Sequence, residues 1–228
     1  MEQLLELSNP CNVASQIDAE IRALSVRNTA AVRALQRQYT RQLKQADPVF
    51  ILNLARILIE EHDQRWLAYE IIRNHKATFQ TIGEAELEEL GRGLNSWDTV
   101  DAFARILAGP AWLNGQVSDD LIHKWASSED LWWRRATLVS TVALNLRSQG
   151  GQGDVTRTLT VCGLLISDHE DMVTKATSWA LRGLVVHDPE AVCEFLTEHE
   201  ATLSARVKRE VKNKLTTGLK NPKLSGQF

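Results

Sequence analysis

The chain has 228 residues, of which 43% are hydrophobic, and a formal net charge of −3. It is long enough to bury a core, and it contains neither an apolar run of about 18 residues nor, at Met1–Glu6, the basic flank of a signal peptide. These features predict a cytoplasmic globular protein that does not bind a membrane. The three cysteines, Cys11, Cys162 and Cys193, are too widely spaced for a zinc knuckle and argue against a disulfide framework.

The first predicted element is a basic helix near the N-terminus. Residues 21–46 contain six Lys or Arg and no Asp or Glu. Spacings of four, four and three positions place four of these cations on one helical stripe: Arg33, Arg37, Arg41 and Lys44. Such a stripe is typical of a surface that follows a polyanion, and equally of a solvated helix face.

Helical periodicity continues beyond this stretch and runs almost to the end of the chain. Residues 50–58 carry one apolar stripe of this kind, while strand patterns are nearly absent. Asp47-Pro48 and Gly109-Pro110 are typical helix boundaries, and such signals divide the chain into roughly ten to twelve helices. The sequence therefore predicts an all-α protein.

Three segments then combine aromatic and charged residues. Residues 97–101, Trp-Asp-Thr-Val-Asp, place an indole and a carboxylate one helical turn apart, at Trp97 and Asp101. That pair suits a transient cation, because an indole face attracts positive charge and a carboxylate stabilises it. Residues 131–136, Leu-Trp-Trp-Arg-Arg-Ala, and residues 175–182, Lys-Ala-Thr-Ser-Trp-Ala-Leu-Arg, follow. Since adjacent residues cannot share a helix face, at least one of the two tryptophans in 131–136 is predicted to be in the core.

The last two segments belong to an internal repeat. At a separation of 40 residues, Arg135 matches Lys175 and Thr137 matches Thr177. A period of about 40 residues is typical of HEAT-like repeats. We therefore predict a right-handed α-solenoid superhelix of HEAT-like helix pairs that spans residues 1–228 as a single domain. The glycine-rich stretch 148–154 is predicted to be a surface loop, and residues 201–223, with seven Lys or Arg and one Glu, a basic C-terminal helix.

Other chemistries find little support. The six histidines form no H-E-x-x-H or H-x-x-x-H pattern, and no glycine-rich loop follows a strand pattern. No serine lies in a G-x-S-x-G elbow. We therefore expect neither a metal site nor an organic cofactor.

The three aromatic segments, with Trp125-Ala-Ser-Ser-Glu-Asp130 before the second, resemble in order and spacing the bacterial AlkD-type DNA alkylation repair glycosylases. The resemblance covers about residues 85–215 and is much weaker over the first 50. It implies a superhelix of HEAT-like repeats and hydrolytic excision of N3- and N7-alkylated purines from duplex DNA, the first step of base excision repair. It also implies a protein that acts without a metal or cofactor, and we expect a monomer.

The resemblance also implies roles for individual residues. Asp101 would be the catalytic carboxylate, Trp97 and Trp179 would flank the deoxyribose of the damaged nucleotide, and Arg135 would meet the adjoining backbone. Further DNA contacts would come from neighbouring cations and from the basic stripe: Lys175, Arg182, Arg134, Arg33, Arg37, Arg41 and Lys44. The chain departs from the family at Asp171-Met172, where the family has aromatic residues, and this departure leaves its substrate range open.

Alternatives to these roles follow from the residues themselves. Trp97 and Trp179 could be core aromatics of packed helices, and Arg135 could form a structural ion pair with Asp98 or Asp101. The alternative function is a non-catalytic HEAT-like module that binds structured DNA or a protein partner. Exposed tryptophans beside cations would favour DNA, whereas an apolar groove would favour a protein.

Overall fold

A computed structural model describes residues 9–26 and 28–222, and these ranges contain helices and connecting turns but no strand. The all-α prediction is therefore confirmed. Contacts divide the chain into two compact units, Met1–Gly93 and Leu94–Phe228, which are described in turn. Because each repeat of a solenoid contacts mainly its neighbours, this division does not distinguish one repeat array from two domains, and the single-domain prediction stays a prediction.

The first unit is built around its third helix. Its helices are α1 (Pro10–Ala23), α2 (Thr29–Gln42), α3 (Pro48–Glu60), α4 (Arg65–Asn74), α5 (Lys76–Gln80) and α6 (Glu84–Leu90). α3 packs against α1, α4 and α5. It begins as predicted, since the Asp47 carboxylate accepts a hydrogen bond from the Val49 amide at 2.8 Å and Pro48 occupies the first turn. Its predicted apolar stripe is buried, with Leu54 and Leu58 both 0% exposed.

The predicted basic stripe lies on α2, but the helix is shorter than the stripe. α2 ends at Gln42 because the chain turns there to begin α3, so Lys44 lies beyond the helix and the prediction of one helical stripe is wrong at this residue. Three cations on the helix are exposed: Arg33, Arg37 and Arg41. Leu35 and Tyr39 point into the core, which leaves the basic face to solvent.

The second unit contains the remaining helices of the described chain. They are α7 (Trp97–Phe103), α8 (Gly109–Leu113), α9 (Asp119–Ala126), α10 (Leu131–Asn145), α11 (Val155–Leu164), α12 (Asp171–Leu184), α13 (Pro189–Glu198) and α14 (Ala205–Thr217). A π-helical segment, Ala104–Ala108, joins α7 to α8, and a 3₁₀ turn, Arg147–Gln149, follows α10. α10 packs against α7 and α12, and α12 packs against α14, while α11 contacts α9. Alternate helices are therefore neighbours in this unit, as in stacked helix pairs.

The 40-residue repeat corresponds to a structural equivalence between α10 and α12. Each helix follows an acidic residue, Asp130 or Glu170, although only the Asp130 carboxylate caps its helix. Thr137 and Thr177 occupy the same position and each donates a hydrogen bond of 3.1 Å to the carbonyl four residues earlier. The equivalence supports helix-pair repeats in this unit, and the superhelix for the whole chain stays a prediction.

Gly109-Pro110 does not end a helix, which corrects the prediction. Residues 97–113 run continuously through α7, the π-helical segment and α8, with the Gly109 amide bonded to the Ala104 carbonyl five residues earlier. The wider π turn accommodates Pro110, which has no N–H to donate. A Cβ on Gly109 would lie 2.5 Å from the Ser140 carbonyl oxygen, so glycine permits a close approach to α10.

The glycine-rich stretch is a connection, as predicted, but it packs closely on its neighbours. The Gly151 amide donates to the Leu146 carbonyl at 3.1 Å, and the Gly153 amide donates to the Leu144 carbonyl at 3.1 Å. Gly151 is buried against the end of α10. These bonds satisfy carbonyl groups at the C-terminus of the helix.

Candidate functional site

α7 presents the first two site residues on one side of a helix. Its start is set by Ser96, whose carbonyl accepts a hydrogen bond from the Thr99 hydroxyl at 3.0 Å. Trp97 is 56% exposed, so the core-aromatic alternative is wrong for this residue. Asp101 lies one turn later, and 15% of its side chain is exposed. An indole in solvent therefore stands beside a largely buried carboxylate.

The Asp101 carboxylate forms a bidentate ion pair with Arg135 on α10. Arg135 Nε donates to Asp101 Oδ1 at 2.9 Å, and Arg135 Nη2 donates to Asp101 Oδ2 at 2.9 Å. The third nitrogen, Nη1, donates to the Met172 carbonyl at 2.5 Å. The alternative of a structural bridge is thus confirmed, with Asp101 and not the exposed Asp98 as the partner.

This geometry limits the contacts that Arg135 can make with a ligand. The residue is only 5% exposed and all three of its nitrogens are engaged within the chain, which disfavours the predicted contact with a DNA phosphate. Its evident effect is to fix the orientation of Asp101. A carboxylate has about four lone-pair positions, so the Asp101 oxygens can still accept hydrogen bonds from a water molecule.

The same contact explains why the departure at Asp171-Met172 leaves this ion pair intact. Met172 contributes its carbonyl oxygen, which any residue supplies, and Asp171 is exposed and paired with Lys175. The effect of the missing aromatic residues on substrate range stays open.

Burial governs the ionisation of Asp101. It raises the pKa of this carboxyl above the usual range, while the hydrogen bonds and charge of Arg135 oppose the shift. The charge of Arg105 lowers this pKa as well, and Asp98 raises it. The ionisation of Asp101 therefore depends on charges on α7, on the π-helical segment and on α10.

Arg105 is a site residue that the sequence analysis missed. Its guanidinium carbon lies 5.6 Å from the centre of the Trp179 ring, within the range of a cation–π interaction. Arg105 is exposed and Trp179 is partly exposed, so the core-aromatic alternative also fails for Trp179. The sequence does contain a signal for this residue, because Arg105 follows Asp101 by four residues and Trp97 by eight, spacings that indicate the same side of a helix.

An aromatic cluster behind α7 holds it against α10. The rings of Phe103 and Trp133 are 5.8 Å apart and nearly perpendicular, and the rings of Trp125 and Trp133 are 4.8 Å apart. Trp132 and Trp133 are both partly exposed, so the prediction that one of them lies in the core is not confirmed, although Trp133 packs into this aromatic cluster. This packing places Asp101 within reach of Arg135.

Two of the predicted DNA-binding cations are already paired. Arg134 Nε donates to Asp168 at 2.6 Å, and its Nη1 donates to the carbonyls of Ser128 and Glu129. Lys175 pairs with Asp171 at 2.7 Å but is 41% exposed. Lys175 therefore remains accessible to a phosphate, whereas Arg134 serves mainly to hold the start of α10.

Arg182 lies in a polar network between α12 and α14. Its Nε donates to the Ser178 hydroxyl at 3.2 Å, and that hydroxyl donates to Glu210 Oε2 at 2.6 Å. Burial lowers the pKa of Arg182. Ser178 and Glu210 are buried, so the network fixes α12, and with it Trp179, against α14.

In the first unit, part of the basic stripe borders a cleft. The cleft has a volume of about 430 Å³ and lies between α2 and the turn from α4 to α5. Its cations are Arg41, Lys44 and Lys76, all exposed. Lys44 thus joins Arg41 in one basic surface although it lies beyond the helix. DNA binding by this surface stays a prediction.

Two kinds of feature are absent from the described part of the chain. Within residues 9–26 and 28–222, no group of three or more His, Cys, Asp or Glu side chains could hold a metal ion. None of the helices in those ranges is long and apolar enough to cross a bilayer.

Comparison with known proteins places the chain in a family. No individual curated protein is significantly similar to it. A family model described as DNA alkylation repair enzyme matches residues 3–215, nearly the whole chain and both of its units. The chain therefore belongs to the DNA alkylation repair enzyme family.

Proposed function

We propose that this protein is a DNA glycosylase that hydrolyses the N-glycosidic bond of N3- or N7-alkylated purines in duplex DNA. The observation that carries the proposal is the Asp101 carboxylate, oriented by Arg135 and standing one turn from the exposed indole of Trp97. Membership of the DNA alkylation repair enzyme family supports it.

The chemistry requires little beyond a positioned carboxylate. Alkylation at N3 or N7 makes the purine cationic, so the bond between C1′ and the base breaks with both electrons going to a base that leaves neutral. Positive charge then develops on the sugar, and a nearby carboxylate stabilises it. A water molecule bonds to C1′ and loses a proton, which gives the free base, an abasic sugar and one proton.

Asp101 would supply both the negative charge and the acceptor for that water. Arg135 bonds to both carboxylate oxygens and so fixes the orientation of the group, which need not change during the reaction. Because Asp101 is largely shielded from water, its charge interacts more strongly with the sugar cation than it would in solvent. The raised pKa has the opposite effect at low pH, because a protonated carboxyl carries no charge.

The two tryptophans would hold the damaged nucleotide. Indole faces attract cations by roughly 0.5 to 2 kcal/mol, and both the alkylated base and the sugar carry positive charge during the reaction. Trp97 is exposed on α7 and Trp179 is accessible on α12, so each can receive a sugar face. Selectivity would then follow from the lability of cationic bases.

The test is release of 7-methylguanine and 3-methyladenine from alkylated duplex DNA by wild type, Asp101→Asn and Asp98→Asn. Asp101→Asn should lower the single-turnover rate by about 10²- to 10³-fold, a loss typical for one stabilising group. Asp98→Asn is the matched control, because it removes an exposed carboxylate three residues away on the same helix.

Folding must be monitored in parallel. Asp101→Asn leaves the buried Arg135 short of an acceptor and should lower the melting temperature, so rates are compared well below it. Equal rates for the wild type and Asp101→Asn would remove Asp101 from the mechanism. DNA binding without base release by the wild type would favour the non-catalytic module.

A further inference from the structure

Arg105 occupies an unusual position at the edge of the site. Its guanidinium lies on the Trp179 ring at 5.6 Å, yet no carboxylate in the part of the chain that the structure describes forms an ion pair with it. Arg105 is exposed, and Asp101 interacts with it through charge and not through a salt bridge, so its hydrogen-bond donors remain available for an external anion.

The main chain at Arg105 is fixed. The residue belongs to the π-helical segment, and its carbonyl accepts a hydrogen bond from Gln149 Nε2 at 3.1 Å. The Trp179 face restricts the guanidinium in turn, so fewer rotamers are lost when a ligand binds. An arginine held in this way is prepared for a planar, bidentate contact with a phosphate.

We propose that Arg105 binds the DNA backbone phosphate next to the damaged nucleotide, with the Trp179 indole holding its guanidinium in place. The assignment rests on the proposed function for the position of the lesion. It transfers the backbone contact from Arg135, which is buried and fully engaged, to an arginine at the surface.

Phosphate binding by Arg105 would also assist the reaction. A free guanidinium beside Asp101 opposes the positive charge that develops on the sugar. A bound phosphate neutralises Arg105, so DNA docking itself would make the local field more negative.

A second arginine–tryptophan pair in the same unit provides a matched control. The Arg157 guanidinium lies 4.9 Å from the Trp112 ring, but this ring is 1% exposed. Arg157 also pairs with Asp154 at 2.6 Å and donates to the Trp112 carbonyl at 3.2 Å. The Trp112 ring is buried, and Arg157 Nε and Nη1 are engaged within the chain, so this arginine has fewer donors available to a ligand than Arg105 although its side chain is 26% exposed.

The experiment measures the affinity for an undamaged duplex as a function of salt concentration. Arg105→Gln should reduce the slope of log affinity against log salt by about 0.9, the value for one phosphate, and weaken binding roughly tenfold at low salt. Arg105→Lys should keep the slope, because it keeps the charge. Arg157→Gln should lower the melting temperature without changing the slope.

Base release by the wild type, measured separately, distinguishes this proposal from the glycosylase proposal. A changed slope with no base release would leave Arg105 as a phosphate ligand and reject the glycosylase. An unchanged slope in Arg105→Gln, with or without base release, would overturn the Arg105 proposal. So would a wild-type protein that does not bind duplex DNA.

Discussion

At the scale of the residue, Asp101 shows how one carboxylate acquires a particular charge and direction. Burial disfavours the charged form, while a bidentate guanidinium favours it and fixes both oxygens. Asp98, three positions earlier, is exposed and forms no comparable pair in the described chain. The two acids share a helix, so the difference between them comes from the facing α10 and not from α7.

The raised pKa of Asp101 predicts that a plot of the rate of base release against pH has an acidic limb, in which the rate falls as the pH decreases. A raised pKa means that the carboxyl gains its proton at a higher pH than an ordinary aspartate, whose pKa is 3.8. The rate should therefore fall with decreasing pH through a midpoint above that value. Single-turnover rates, with uncatalysed depurination subtracted, give the profile.

Asp98→Asn provides the control for this assignment. It removes a negative charge that raises the pKa of Asp101, so the limb should move to lower pH. A limb that stays in place in Asp98→Asn, or one centred at or below the ordinary value, would contradict the assignment to Asp101.

At the scale of the element, the continuous helix of residues 97–113 positions the site. Gly109 lets this helix approach the C-terminal half of α10, and the ring contact of Phe103 with Trp133 holds the two helices together nearer the site. These two contacts determine where α7 lies against α10. The ion pair between Asp101 and Arg135 therefore depends on packing that lies about half a turn away, at Phe103, and about two turns away, at Gly109.

Gly109→Ala should consequently damage both stability and activity. Its Cβ would lie 2.5 Å from the Ser140 carbonyl oxygen and 2.8 Å from Ala143 Cβ, so the helices must separate. Overpacking of this kind costs about 1–3 kcal/mol in the free energy of unfolding, measurable by urea denaturation. The displaced α7 should also lower the rate of base release.

Gly163→Ala is the matched substitution. Gly163 lies within α11 and a Cβ there meets nothing within 4 Å, so the change should be neutral or stabilise by up to about 1 kcal/mol. Equal stability changes in the two variants would show that close approach at Gly109 does not position α7.

At the scale of the whole molecule, the sequence predicted what depends on periodicity and local spacing. The all-α class follows from apolar stripes such as the one in α3, and the equivalence of α10 and α12 was visible as a 40-residue offset. For the ion pair of Arg135, the sequence left two possible partners, Asp98 and Asp101. The choice depends on how α7 meets α10, which no local pattern specifies.

Other features were missed for equally specific reasons. Gly109-Pro110 is typical of a helix end, and no local sequence pattern indicates the π turn that accommodates it here. Arg105 was missed although its spacing from Asp101 and Trp97 was visible, because its contact with Trp179 comes from another helix. Lys44 was assigned to a helix that ends at Gln42.

The central claim is that this chain removes alkylated bases by hydrolysis. Its most direct test uses a duplex with a single 7-methylguanine, incubated with the wild-type protein and analysed by mass spectrometry. We expect free 7-methylguanine and, in the same strand, an abasic sugar with the backbone on both sides intact. Recovery of unmodified guanine in the strand, or no release above the uncatalysed rate, would contradict the claim.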